Sequence, residues 1–276
     1  MDFRRVIVID FAGLGIGEAS DANRFNSVGA DTLGHIARFA DPNFALPALS
    51  RLGLGNIRSN DPVVGLPPVE APIGYYGKIR LKSQNNVALS GLREMFDYQT
   101  DIRTTNVIDS IVALLGVNSI LITNYLSYLS NQNMAQIIPV NSDEAGFNEL
   151  HQQVIAPNNG LLYFRLLDLQ QKALEADGKG CIDVLNVVDQ HLSRLMRELY
   201  STDLLMITST FANDPTVDVV PTREYLPLIA YMPAKPEGKS LGIRRTLADI
   251  GATTAQIFGV EPSDESVGHS FLDELS

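Results

Sequence analysis

Apolar residues in this chain follow two alternating patterns. Short continuous runs, such as Arg5–Asp10, Ser119–Thr123 and Asp203–Thr208, predict strands buried on both faces of a parallel sheet. Residues 161–166 (Leu-Leu-Tyr-Phe-Arg-Leu) and 227–232 read the same way, and 75–81 alternates enough to be a strand. Between these runs, apolar positions recur every three or four residues, the spacing of one helix face. The longest such stretch is 182–200, with Val184, Leu185, Val188, Leu192, Leu195, Met196 and Leu199 on its inner side. Residues 105–115 place Ile108, Ile111, Val112 and Leu115 on one stripe before Gly116. Shorter helices are predicted at 31–38 with Asp31 or Thr32 as N-cap, at 46–52 ended by Gly53, and at 246–258 ended by Gly259. Ser90, with Gly91 and Glu94 behind it, reads as another helix N-cap. Repeated strand–helix–strand units without a break in composition predict one doubly wound α/β domain over residues 1–276, with the proline-rich stretch 61–72 as a surface connection.

Charge narrows the function classes. A net charge of −11 with no cluster of lysine or arginine excludes a nucleic-acid or anionic-membrane surface, which needs a basic stripe. The one cysteine, Cys181, cannot close an intrachain disulfide. It follows Asp177, Gly178, Lys179 and Gly180 at a helix start that could activate a thiol mildly, although an inert small residue is the favoured reading. Arg4 and Arg5 precede only four apolar residues, too few for a secretion signal, and no run reaches the ~18 residues of a membrane span. A cytoplasmic protein is expected.

Candidate chemistry lies where the strand Asp203–Thr208 runs into Ser209-Thr210-Phe211-Ala212-Asn213-Asp214-Pro215, the kind of turn on which α/β enzymes place their sites. The turn after the first strand, Gly13-Leu14-Gly15-Ile16-Gly17, lacks dinucleotide-binding spacing. None of the four histidines, His35, His151, His191 and His269, has a partner at metal-ligand spacing. Asp10 reads as a strand-end residue bonding backbone N–H groups of the next turn, and Asp214 as ordering its own loop.

Several segments together resemble the phosphopentomutases of the alkaline phosphatase superfamily. Toward the N-terminus these are Val8-Ile9-Asp10-Phe11-Ala12-Gly13-Leu14-Gly15, Gly29-Ala30-Asp31-Thr32-Leu33-Gly34-His35-Ile36 and Leu52-Gly53-Leu54-Gly55-Asn56-Ile57. Toward the C-terminus they are Asn213-Asp214-Pro215, Thr222-Arg223-Glu224-Tyr225-Leu226-Pro227-Leu228 and Ala248-Asp249-Ile250-Gly251-Ala252-Thr253. The resemblance implies a three-layer α/β/α sandwich with an alkaline-phosphatase-like core. In the family a separate cap is inserted after the nucleophile helix; here only residues 95–104 occupy that place, so the cap is expected to be deleted.

The resemblance also implies a two-metal site with a threonine nucleophile, and most matching positions hold other residues. The six ligand positions fall on Asp10, Gln170, Glu175, Thr210, Phe211 and Pro221, and the nucleophile position falls on Ala88. A two-residue slip would put Asp168 and Ala173 in place of Gln170 and Glu175, again without a histidine. The expectation is a catalytically inactive phosphopentomutase-like protein with a binding, regulatory or assembly role and no cofactor. Its uncapped cleft would favour a homo-oligomer or a protein partner. One rival reading is a metal-dependent phosphoryl-transfer enzyme using Asp10, Ser90, Asp168 or Asp214 around Mg²⁺ or Mn²⁺. Another is a sensor of a sugar phosphate or nucleotide held at the helix start near Ser90.

Overall fold

The computed structural model describes residues 2–85, 87–97, 118–124, 135–218, 220–261 and 266–275. The predicted helix 105–115 lies outside the described residues, as does most of 95–104. Eight strands form one sheet: β1 (Arg5–Asp10), β2 (Tyr75–Ile79), β3 (Ser119–Thr123), β4 (Ala135–Pro139), β5 (Gly160–Arg165), β6 (Asp203–Thr208), β7 (Leu226–Tyr231) and β8 (Ser240–Arg244). Their order is β4-β3-β5-β1-β6-β7-β2-β8.

The apolar runs are continuous because alternate residues feed two different cores. Ile7 and Ile9 enter a core covered by α1 (Thr32–Ala37), α2 (Pro47–Leu52), α4 (Asp143–Ile155), α5 (Asp168–Leu174) and α6 (Gly178–Glu198). Val6 and Val8 enter the opposite core, covered by α3 (Ala88–Asp97) and α7 (Ala248–Ile257). The result is the three-layer sandwich, with strands buried on both faces.

Several boundaries differ from the pattern reading. The sheet is mixed, because β7 runs antiparallel to both β6 and β2. The described residues of the link 209–225 form no crossover helix, and the chain returns beside β6 as an antiparallel neighbour. β4 and β8 went unread; both lie at sheet edges, and β8 is exposed at most positions, so neither carries a core-strand pattern. The long helix begins at Gly178, where the Asp177 side chain accepts from the Gly180 N–H at 2.9 Å. Two glycines in that first turn weaken the helical signal. Helix α3 begins at Ala88, so Ser90 sits inside its first turn and is not the N-cap.

Glu94 anchors α3. Its fully buried carboxylate accepts from the N–H groups of Lys82 and Ser83, the Thr246 hydroxyl at 2.7 Å and the Leu247 N–H at 3.0 Å. One side chain thus ties the end of β2 to the entrance of α7. Replacing it with alanine would strand those donors in the interior. Glu94→Ala is expected to cost about 3 kcal/mol or more, read as a lowered urea midpoint at unchanged slope, and Glu94→Gln less.

Candidate functional site

Strand β1 ends with Asp10 in register with Arg165 of β5 and Thr208 of β6. The Asp10 side chain is fully buried. Its Oδ1 accepts from the Thr210 N–H at 2.9 Å, and its Oδ2 from the Thr210 hydroxyl at 2.8 Å and the Tyr163 hydroxyl at 2.7 Å. These partners belong to neighbouring strands and the turn after β6, not to the turn after β1 as expected from sequence. Arg165 brings its Nε to 3.7 Å from Asp10 Oδ2. Its other nitrogens donate to Asn124 Oδ1 at 3.4 Å and to Gln170 Oε1 at 3.1 Å. The guanidinium lies 5.6 Å from the centre of the Phe211 ring.

Four of the six ligand positions named from sequence, Asp10, Gln170, Thr210 and Phe211, therefore gather around Arg165. Glu175 stands apart, half-exposed and paired with Lys172 at 2.9 Å. Pro221 follows a cis peptide bond in the loop before Thr222. Under the slipped alignment, Asp168 turns toward Asp143 instead, accepting its N–H at 3.2 Å, and Ala173 packs in the α6-side core. Ala88 opens α3, whose Gly91 lies so close to the Thr210 carbonyl oxygen that an added β-carbon would stand 1.7 Å from it. Helix α3, on which the expected nucleophile position Ala88 lies, therefore packs against the Thr210 turn through Gly91.

Burial pushes the Asp10 carboxyl above its ordinary range, opposed by Arg165 and by the hydrogen bonds from Tyr163 and Thr210. A divalent cation does not fit this donor set. It would have to be held by one carboxylate, a threonine hydroxyl and a glutamine amide, against a guanidinium already beside that carboxylate. Sequence reasoning missed Arg165 and Tyr163. A charged residue closing the apolar run Gly160–Arg165 was the available signal, since arginine is buried only when paired.

The motif residues that match the resemblance hold loops together. Asp214 Oδ2 accepts from the Asp31 N–H at 2.7 Å and contacts His35 Nδ1 at 2.6 Å, while its Oδ1 takes the Thr216 N–H at 2.9 Å. Glu224 is buried and accepts from the Thr32 hydroxyl at 2.6 Å, the Thr222 hydroxyl at 2.7 Å and the Gly17 N–H at 3.1 Å. Arg223 joins Asp21 at 2.8 Å and the Leu81 carbonyl at 2.6 Å. His151 and His191 are spanned between Glu198 and Glu144, and His269 is exposed. Burial raises the Cys181 thiol to about 12, so the helix start does not activate it.

A second carboxylate pair lies on the other face of the sheet. Asp143 Oδ1 accepts from the Leu167 N–H at 2.6 Å and the Asp168 N–H at 3.3 Å, capping α5, which has no side-chain cap of its own. Burial first, and then the Asp168 charge, push the Asp143 carboxyl up to about 7.

Two measurements follow. Arg165→Met leaves Asp10 charged and uncompensated in the interior and is expected to cost ~3–5 kcal/mol in denaturant unfolding. The double variant Asp10→Asn/Arg165→Met should recover much of that loss. For Asp143, the folded carboxyl titrates at about 7 against an ordinary 3.8, so the folded state binds the proton more tightly. Its stabilising effect is complete below about pH 4 and disappears as pH rises through 7. Between pH 4 and 8 the wild type should lose on the order of 3 kcal/mol relative to Asp143→Asn, read from unfolding midpoints of both proteins across that range.

Residues 130–262 match the Metalloenzyme superfamily. Over an alignment of 399 residues spanning all of both chains, the protein is 27% identical to a phosphopentomutase from Levilactobacillus brevis. In fold it is similar to a protein of the alkaline phosphatase superfamily from Vibrio parahaemolyticus, with a TM-score of 0.59 at 8% identity, covering 99% of this chain and 70% of that one. It is also similar to the lipoteichoic acid synthase LtaP from Listeria monocytogenes, with a TM-score of 0.57 at 12% identity, covering 98% and 75%. A TAB5 alkaline phosphatase variant gives 0.52 at 10% identity, covering 95% and 99%. Residues 130–262 are thus similar to the Metalloenzyme superfamily, the full sequence is similar to that of a phosphopentomutase, and the fold is similar to that of alkaline phosphatase superfamily proteins.

Proposed function

We propose that this protein is a catalytically inactive relative of the phosphopentomutases that acts by binding, in a regulatory or assembly role. The observation that carries the reading is the Arg165 guanidinium beside Asp10, hydrogen-bonded to Gln170 and facing Phe211. A fixed monocation with no open coordination position can neutralise a buried carboxylate, but it cannot activate water or a hydroxyl as a metal does. Ala88 supports the same reading, because a methyl group cannot accept a phosphoryl group. The 399 aligned positions exceed the 276 residues of this chain, which supports loss of an inserted cap near residues 95–104. Loss of a cap would favour a second copy of the chain or another protein in its place.

The test is metal content together with turnover. After purification in Mn²⁺-containing buffer and gel filtration, elemental analysis is expected to find far less than one Mn²⁺ or Zn²⁺ per chain. Conversion of a pentose 1-phosphate to the 5-phosphate, and hydrolysis of either, should stay at the no-protein rate with added Mn²⁺. Stoichiometric metal accompanied by turnover that Asp10→Asn abolishes would overturn the proposal.

A further inference from the structure

On the sheet face opposite α3, α4, α5 and α6 line an open cavity of about 510 Å³. Its polar lining includes Asp143, Glu144, Asp168, Asp177 and Asp183, against Lys172 and Lys179. One wall is aliphatic, formed by Val184, Val187 and Val188 of α6. Lys172 is drawn to the rim by Glu175 at 2.9 Å and Asp177 at 3.3 Å. The lining therefore carries a negative balance that the partial positive charge of the helix starts does not cancel.

Asp143 makes this cavity more than an acidic surface. The residue is only 2% exposed, and its Oδ1 is committed to the N–H groups of Leu167 and Asp168. Its Oδ2 is buried with no hydrogen-bond partner. A buried carboxylate oxygen without a donor is costly, and the oxygen left to the cavity is this one. A compact N–H donor carrying positive charge would answer both this oxygen and the negative lining of the cavity. A metal ion is a poor candidate, because among the described residues no three His, Cys, Asp or Glu side chains are grouped to hold one. The valine wall instead suits a methylene chain lying along α6 behind a charged head.

We propose that this cavity binds a small aliphatic amine. The ammonium group donates to Asp143 Oδ2, the carbon chain lies on Val184 and Val187, and a second ammonium meets Glu144 or Asp183 at the mouth. The site opens on the other face of the sheet from Asp10; the Arg165 charge reaches Asp143, but the site does not depend on whether the Asp10–Arg165 cluster turns over. Val187 is 40% exposed, so it can be changed without disturbing the core.

The experiment is calorimetric titration of the full chain with 1,4-diaminobutane, n-butylamine and tetramethylammonium at fixed ionic strength. Saturable binding is expected for the diamine, weaker binding for the monoamine, and none for the quaternary ion, which has no N–H to donate. Asp143→Asn, checked for folding by circular dichroism, should bind the diamine at least tenfold more weakly. Val187→Trp, which fills the mouth, should lose binding while leaving Asp143 intact. The proposal is overturned by an absence of saturable diamine binding at 10 mM, by an equal response to tetramethylammonium, or by undiminished binding in either variant.

Discussion

A carboxylate sealed from water needs hydrogen-bond donors, a positive charge or both, and Asp10 takes both. It stands at the end of the central strand, where β5 and β6 flank it and α3 closes over the turn that follows β6. The surroundings follow from that requirement. Arg165 supplies the charge, Gln170 and Asn124 hold the arginine in place, and Tyr163 and Thr210 occupy the remaining lone pairs of Asp10. The close contact between Gly91 and the Thr210 carbonyl then fixes α3 against the same turn. Packing and electrostatics are solved there together.

The residues that resemble phosphopentomutases and those that depart from them have different physical jobs. Asp31, Thr32, Asp214, Arg223 and Glu224 form a network tying the turns after β1 and β6 to α1. Each is buried or half-buried with most of its polar atoms engaged, so its loss would leave buried donors and acceptors without those partners. The departing positions surround Asp10, where one arginine can answer the charge requirement. A scaffold of this kind can be kept while its chemistry changes, because the bonds that hold the loops do not pass through the centre.

The layers and most strands were legible because Arg5–Asp10, Gly160–Arg165 and Asp203–Thr208 are continuously apolar between their ends and too short for helices, the pattern of a strand covered on both faces. The antiparallel sense of β7 was not legible, since strand direction depends on the path of the loop 209–225 and leaves no mark on the strand itself. β8 was missed because an edge strand buries little. In the candidate site, the positions of Asp10, Thr210, Phe211 and Ala88 could be named from their motifs. Arg165 was not named: a charge closing the run Gly160–Arg165 marked it, but its pairing with Asp10 on a different strand leaves no sign in the local sequence. The start of α6 was hidden by Gly178 and Gly180, whose helical placement rests on the Asp177 cap rather than on propensity.

The Arg165–Asp10 pair also changes what the protein depends on. A bound ion occupies its site by mass action, so a fold that relies on one rises and falls with the free concentration of that ion and with every competing chelator. A guanidinium delivered by the chain is present at one per molecule from the moment of synthesis and cannot exchange. If, as proposed, no ion joins Asp10, the folded state draws its charge balance at this point from the chain itself and not from the supply of a metal.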